Sequence, residues 1–256
     1  MTDAPDAVED ATAPSGRSQT DVVLEGIRTM ITSGDLGPGA RLPVEKDLAE
    51  SLGVSRGSLR EGVRALCIMG VLETRQGDGT YVTSLDSALL LAPLGFLVDL
   101  QPAEHRQDLH AVRRTLESEA ASRAALRMSA EALDEAGRVL RDIGPLVAAG
   151  RRLDHEAILD ADIAFHHLVA HGSDNAALAA LIDALATRTS RARLWLGLHD
   201  LGQVAHAHAD HLAILEALRQ RQPDRARLMM DYHLLVVESA LEHEDEVTGQ
   251  DAPTAQ

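Results

Sequence analysis

At 256 residues the chain exceeds what one compact domain usually needs, so two domains are expected. A composition 45% hydrophobic and 25% charged excludes a disordered chain, and forty acidic against 24 basic residues, a net charge of −16, exclude a polybasic nucleic-acid coat. Any DNA binding has to come from a local patch. The lone Cys67 leaves no disulfide framework or thiolate zinc cage and fits a reducing compartment. The opening MTDAPDAVED is acidic with no apolar core, so no signal peptide is expected. The apolar run Ala88 to Val98, broken by Pro93, is too short to span a bilayer. The expected location is the cytoplasm.

Residues 1–18 mix Ala, Pro, Asp, Ser and Thr without periodicity and read as a disordered tail. Next, Thr20 can cap a helix whose apolar positions Val23, Leu24, Ile27, Met30 and Ile31 share one face, ended by Gly34. A second helix is expected from Val44 to Leu52 and a third from Arg56 to Met69, with Leu59, Val63, Leu66 and Cys67 inward. The Gly53-Val54-Ser55 link between them is a helix-turn-helix signature. Val71 to Arg75 and Thr80 to Val82 flank Gln76-Gly77-Asp78-Gly79, a small hairpin. Residues 19–83 therefore read as a winged helix-turn-helix.

From 86 onward the chain is rich in Ala and Leu, with almost no strand signal. Breaks are expected at Pro102, near Ser129, at Gly144-Pro145 and Gly150, at Gly172-Ser173, near Gly202 and at Gln222-Pro223. An antiparallel all-α bundle of six or seven helices is the economical reading, making the fold mainly α. Residues 84–103 form a linker with an extra apolar helix, 104–243 the bundle, and 244–256 a second disordered tail.

Arg56, Arg60 and Arg64 recur every four residues, opposite the apolar stripe of the third helix. An arginine fork holds a phosphate or reads a guanine edge bidentately. Ser55 and Ser58 can donate to phosphates near the helix start, where free backbone N–H groups attract anions. Residues 19–83 carry seven basic against nine acidic side chains, so the module is not basic overall, yet 54–64 is net +2. The alternative is a solvated face with Arg60 and Arg64 paired to nearby carboxylates.

Arg41-Leu42-Pro43-Val44-Glu45-Lys46-Asp47-Leu48-Ala49, Leu52-Gly53-Val54-Ser55-Arg56, Leu59-Arg60-Glu61-Gly62-Val63-Arg64-Ala65-Leu66 and Gly77-Asp78-Gly79-Thr80-Tyr81-Val82 closely resemble the DNA-binding domain of GntR-family transcriptional regulators. The resemblance implies operator contacts from Lys46, Arg56, Arg60 and the wing-tip Gly77. Two positions depart from the pattern. Val44 stands where the family usually has a serine cap, at a cost of about 0.5–2 kcal/mol. Lys46, the one lysine in the chain, replaces an arginine, keeping the charge and losing the fork.

In the bundle, Asp162 and His166 lie one helical turn apart, and His211 and His233 fall on helices among apolar neighbours. Three imidazoles and a carboxylate make a plausible set for a borderline divalent ion. Separate, hydrogen-bonded core histidines are the alternative. His167, His171, His206 and His208 read as surface or loop residues.

Asp162 to His166, Gly172-Ser173-Asp174-Asn175, Asp210 to Leu218 and His233 resemble the FadR-type C-terminal ligand-binding (FCD) domain over about 104–241. The resemblance implies that Asp162, His166, His211 and His233 hold Zn, Ni or a similar ion, whose coordination a small carboxylate effector completes. Effectors of the fatty-acyl class are disfavoured, because relatives that bind them lack these ligands. Arg113 or Arg114 resembles an arginine that faces the effector, with a surface ion pair to Glu117 or Glu119 as the alternative. Asn175 and Arg191 are placed with the effector-binding residues, and Arg193, near Trp195, is a further candidate.

The expected function is a metabolite-responsive regulator, a homodimeric repressor released from double-stranded operator DNA by a small organic acid, and not an enzyme. Two alternatives stand beside it. One is a metal-dependent hydrolase-like enzyme with a DNA-binding appendage and Glu156 or His167 as base. The other is a DNA-binding protein whose bundle only dimerises.

Overall fold

The computed structural model describes residues 17–102, 106–149, 155–186 and 201–250, and the chain divides after Ser84 into two compact units. Arg191, Arg193, Trp195, Gly150, residues 1–16 of the first expected tail and residues 251–256 of the second lie outside the described residues.

In the first unit α1 spans Gln19–Thr32. Its cap is Ser18, not Thr20: Asp21 N donates to Ser18 Oγ at 3.0 Å, and Ser18 N donates back to Asp21 Oδ2 at 3.1 Å. That reciprocal pair satisfies two otherwise orphaned donors, which Thr20, already inside the first turn, cannot do. Helices α2 (Glu45–Leu52) and α3 (Arg56–Ile68) are joined through Gly53, whose φ of 66° closes α2. Val44 occupies the start of α2 with no side-chain cap, and Ser55 caps α3 by accepting from Ser58 N at 3.0 Å. Only Leu59, Gly62 and Leu66 of α3 are fully buried, while Val63 and Cys67 are half-buried. Gly62 is where α3 crosses α1: a Cβ there would stand 2.5 Å from Val23 Cγ1.

Strands β1 (Leu72–Arg75) and β2 (Gly79–Val82) pair antiparallel from Leu72↔Val82 to Arg75↔Gly79. Gly77 at the tip has a φ of +75°, which L side chains rarely adopt. These elements form a winged helix-turn-helix.

The second unit holds, among its described residues, α4 (Ser87–Asp99), α5 (Arg106–Arg127), α6 (Ala130–Ala149), α7 (His155–Gly172), α8 (Ala176–Leu185), α9 (Leu201–Arg219) and α10 (Pro223–Gln250). Two sequence expectations are corrected in this unit. Helix α6 runs through the break expected at Gly144-Pro145, because it packs residues on both sides of that proline, and α4, the extra apolar helix, runs through Pro93. In α6 these are Ile143 and Val147, packed against Ile158, Leu159 and Val204, a gain that offsets the lost backbone hydrogen bond. Helix α10 continues to Gln250, past the expected start of a tail at Glu244, since its Glu-rich end contains good helix formers and no proline.

The main core sets Ala121, Ala124 and Ala125 of α5 against Phe165 and Val169 of α7, Ile214 and Leu218 of α9 and Met230 of α10. Alanines along α5 let neighbouring helices approach closely, so polar side chains from several helices can meet at the centre. No helix among the described residues is long and apolar enough to cross a membrane.

Candidate functional site

Helix α7 presents Asp162 and His166 one turn apart on its inner face, α9 presents His211, and α10 presents His233. All four are buried, and one donor atom from each lies within 4.8 Å of every other. His166 Nε2 is 3.2 Å from His211 Nε2, which is 3.1 Å from His233 Nε2. Asp162 Oδ1 lies 3.5 Å from His166 Nε2 and 3.6 Å from His211 Nε2. Ligands about 2.0–2.1 Å from a tetrahedral ion stand about 3.4 Å apart, so the separations suit one divalent ion. Without an ion, three imidazole nitrogens facing one another have too few protons and acceptors to satisfy all of them.

The outer atoms of the rings are also held. His166 Nδ1 meets Glu117 Oε2, whose other oxygen accepts from Arg113 Nε. His233 Nδ1 faces Asp210 Oδ2 at 3.5 Å. A carboxylate behind a ligating ring fixes its orientation and makes the facing nitrogen a better donor. Burial, reinforced by His233 and His166, pushes His211 well below the usual imidazole range, and burial lowers His233 too, against the opposing pull of Asp210. The neutral ring is the ligating form.

Arg113 is only 3% exposed and reaches the cluster through Glu117, in a buried ion pair instead of the surface pair considered from sequence. Arg114 faces α10, paired with Asp231 at 2.9 Å and Glu238 at 3.2 Å, and makes no described contact with the cluster. Asn175 caps α8, its Oδ1 accepting from Leu178 N at 3.1 Å. The structure thus gives Arg114 and Asn175 structural partners. Beside Asp162 and His211 lies a cavity of about 20 Å³ walled by Leu140, Ile143, Val147, Ile158, Ala161 and Val204. It has room for about one water molecule. His208, expected at the surface or in a loop, lines this cavity from α9, while His206 is exposed on the same helix.

Sequence reasoning missed Glu117 as an anchor for His166, along with Asp210 and His208. The i,i+4 spacing of Arg113 and Glu117 was the one available signal. It could not show that the pair faces inward.

On the first unit, Lys46, Arg56, Arg60 and Arg64 are exposed. Arg60 forks onto Glu45, with Nη2 2.9 Å and Nε 3.0 Å from Oε2, holding Glu45 below the usual carboxylate range. One arginine of the three thus adopts the paired state weighed from sequence. The pair is open to solvent, where such contacts are weak enough for a phosphate to compete. Ser58 Oγ donates to Gln19 Oε1 at 3.0 Å, and Ser55 N donates to the same oxygen at 3.2 Å, so both serines lock α3 to the start of α1. A groove between the helices and the wing is lined by Arg60 and Arg64 of α3 on one side and, on the other, by Arg75 to Thr80, including Gly77, with Arg41 paired to Asp78. Arg75 stacks 4.1 Å over the Tyr81 ring, fixing one wall. Cationic forks around a groove beside the middle of α3 suit the sugar-phosphate backbone of a duplex.

Residues 19–82 match the family model described as bacterial regulatory proteins, gntR family, and residues 108–235 match the FCD domain. The HTH-type transcriptional regulator LutR of Bacillus subtilis is 32% identical over 217 residues, covering 83% of this chain and 96% of LutR. A putative L-lactate dehydrogenase operon regulatory protein of Escherichia coli is 29% identical over 240 residues, covering 90% of this chain and 89% of that protein. Among solved structures, a Streptococcus agalactiae GntR protein superposes with a TM-score of 0.60 at 29% identity, over 86% of this chain and 99% of its own.

Proposed function

The chain belongs to the GntR family of bacterial regulatory proteins, and on that premise we propose that it is a homodimeric repressor which a small carboxylate, bound at a divalent ion in the bundle, releases from its operator. Family membership makes it a DNA-binding transcriptional regulator and retires the hydrolase alternative. One observation carries the finer reading: three imidazole nitrogens and a carboxylate oxygen converge, buried and backed by Glu117 and Asp210.

Asp162, His166, His211 and His233 would hold the ion, zinc or nickel by the chemistry of three nitrogens and one oxygen. Such an ion supplies a Lewis-acidic point for an organic carboxylate. Glu117 keeps His166 turned inward, and Arg113 compensates the Glu117 charge. The E. coli relative's name, a lactate dehydrogenase operon regulator, supports a short hydroxycarboxylate as the effector class. The small cavity beside Asp162 and His211 is the place where such an acid would meet the ion. The effector weakens DNA binding by having unequal affinity for two bundle arrangements, the condition for any such change. Lys46, Arg56, Arg60 and Gly77 are the proposed DNA contacts, with two copies of α3 in successive major grooves.

The test is fluorescence anisotropy on labelled promoter DNA, with the metal-loaded protein at fixed salt. Lactate or a similar acid is expected to weaken binding of the wild type and to leave His211→Ala bound. No response from the wild type would return the bundle to a purely dimerising role, equal release of both proteins would take the effector away from the ion, and tighter binding with acid would overturn release from the operator.

A further inference from the structure

We propose that the bundle carries a second divalent-metal site, facing solvent and separate from the buried cluster, formed by His167, His171 and Asp183. His167 and His171 stand one turn apart on α7, their rings 4.0 Å between centroids. Asp183 rises from α8 between them: Oδ1 lies 3.1 Å from His167 Nδ1, and Oδ2 lies 2.9 Å from His171 Nε2. One donor atom from each of the three residues falls within 4.8 Å of the others.

The side chains are 51%, 49% and 39% exposed, so an ion reaches them without opening the bundle. Successive residues of a helix point about 100° apart. His166 therefore turns inward while its neighbour His167 turns out, and the two sites share a helix but no ligand.

Two imidazoles with one carboxylate suit a borderline ion such as Ni²⁺ or Zn²⁺ better than Mg²⁺ or Ca²⁺, which prefer all-oxygen sets. Only three protein ligands are offered, so water fills the remaining positions and the site binds more weakly than the buried four. An ion here ties α7, the helix that carries Asp162 and His166, to α8.

The test is equilibrium dialysis of the chelator-stripped, full-length protein against Ni²⁺ at pH 8, where protons compete least for the rings. The wild type is expected to hold one equivalent more than the His167→Ala/His171→Ala double variant, and Asp183→Asn to lose the same equivalent while circular dichroism stays unchanged. His211→Ala, measured alongside, removes the buried equivalent and leaves this one, so the two sites fail or survive independently. Equal Ni²⁺ uptake by the wild type and the double variant overturns the proposal.

Discussion

Glu117 illustrates how a single side chain can serve two neighbours. It anchors His166 through one oxygen and Arg113 through the other, inside a bundle where an isolated carboxylate would be costly. Replacing it with Gln keeps the shape and removes the charge that orients the ring. Glu117→Gln is expected to weaken metal binding by roughly 10–100-fold, the usual cost of losing such a partner. Competition against a chelating dye measures it, and an unchanged affinity would remove Glu117 from the site. In the sequence Glu117 was legible only as one end of an i,i+4 pair. Periodicity of a single helix does not reveal which of two opposite faces meets a histidine from a helix 49 residues later.

At the scale of elements, the helix-turn-helix shows local chemistry set against packing. Val44 is 72% exposed at the start of α2, where it provides no cap. Val44→Ser is expected to stabilise the protein by about 0.5–2 kcal/mol, read as a higher denaturant midpoint with unchanged slope. A destabilised variant would mean that the valine packs better than its exposure implies. Gly62 shows the reverse constraint, since α1 leaves no room for a methyl group beside Val23. Gly62→Ala improves helix propensity by about 1 kcal/mol, yet it is expected to destabilise, because overpacking costs about 1–3 kcal/mol. Thermal melts of the variant decide which effect wins. Helix number, the hairpin turn and the apolar faces were readable from spacing and glycine placement. The passage of α6 through Pro145 was not, because a proline's local cost is outweighed by contacts made with distant segments.

For the whole molecule, the buried histidines tie stability to metal and pH. Burial lowers His211 and His233 in the folded protein, whereas the unfolded chain returns them to about 6.5. Above that value neither state takes a proton at these rings; below it only the unfolded state does. Stability is therefore present above about pH 6.5 and lost as pH falls toward the folded values. The melting temperature of chelator-treated protein should drop between pH 7.5 and 5.5, and more steeply than in His211→Gln; a flat profile would count against neutral, buried rings. Saturating metal at about 100 times its Kd should add about 2.7 kcal/mol, seen as a raised melting temperature that chelator reverses. Two units, a winged helix-turn-helix, an all-α bundle and the identity of four residues suited to one ion followed from sequence, because helix period, turn chemistry and ligand type are local properties. Whether those residues meet, that Arg113 faces inward while Arg114 turns to Asp231, and that Ser58 is engaged with Gln19 were decided by tertiary packing. Convergence of side chains depends on the rotation and depth of several helices at once, and no stretch of sequence encodes those alone.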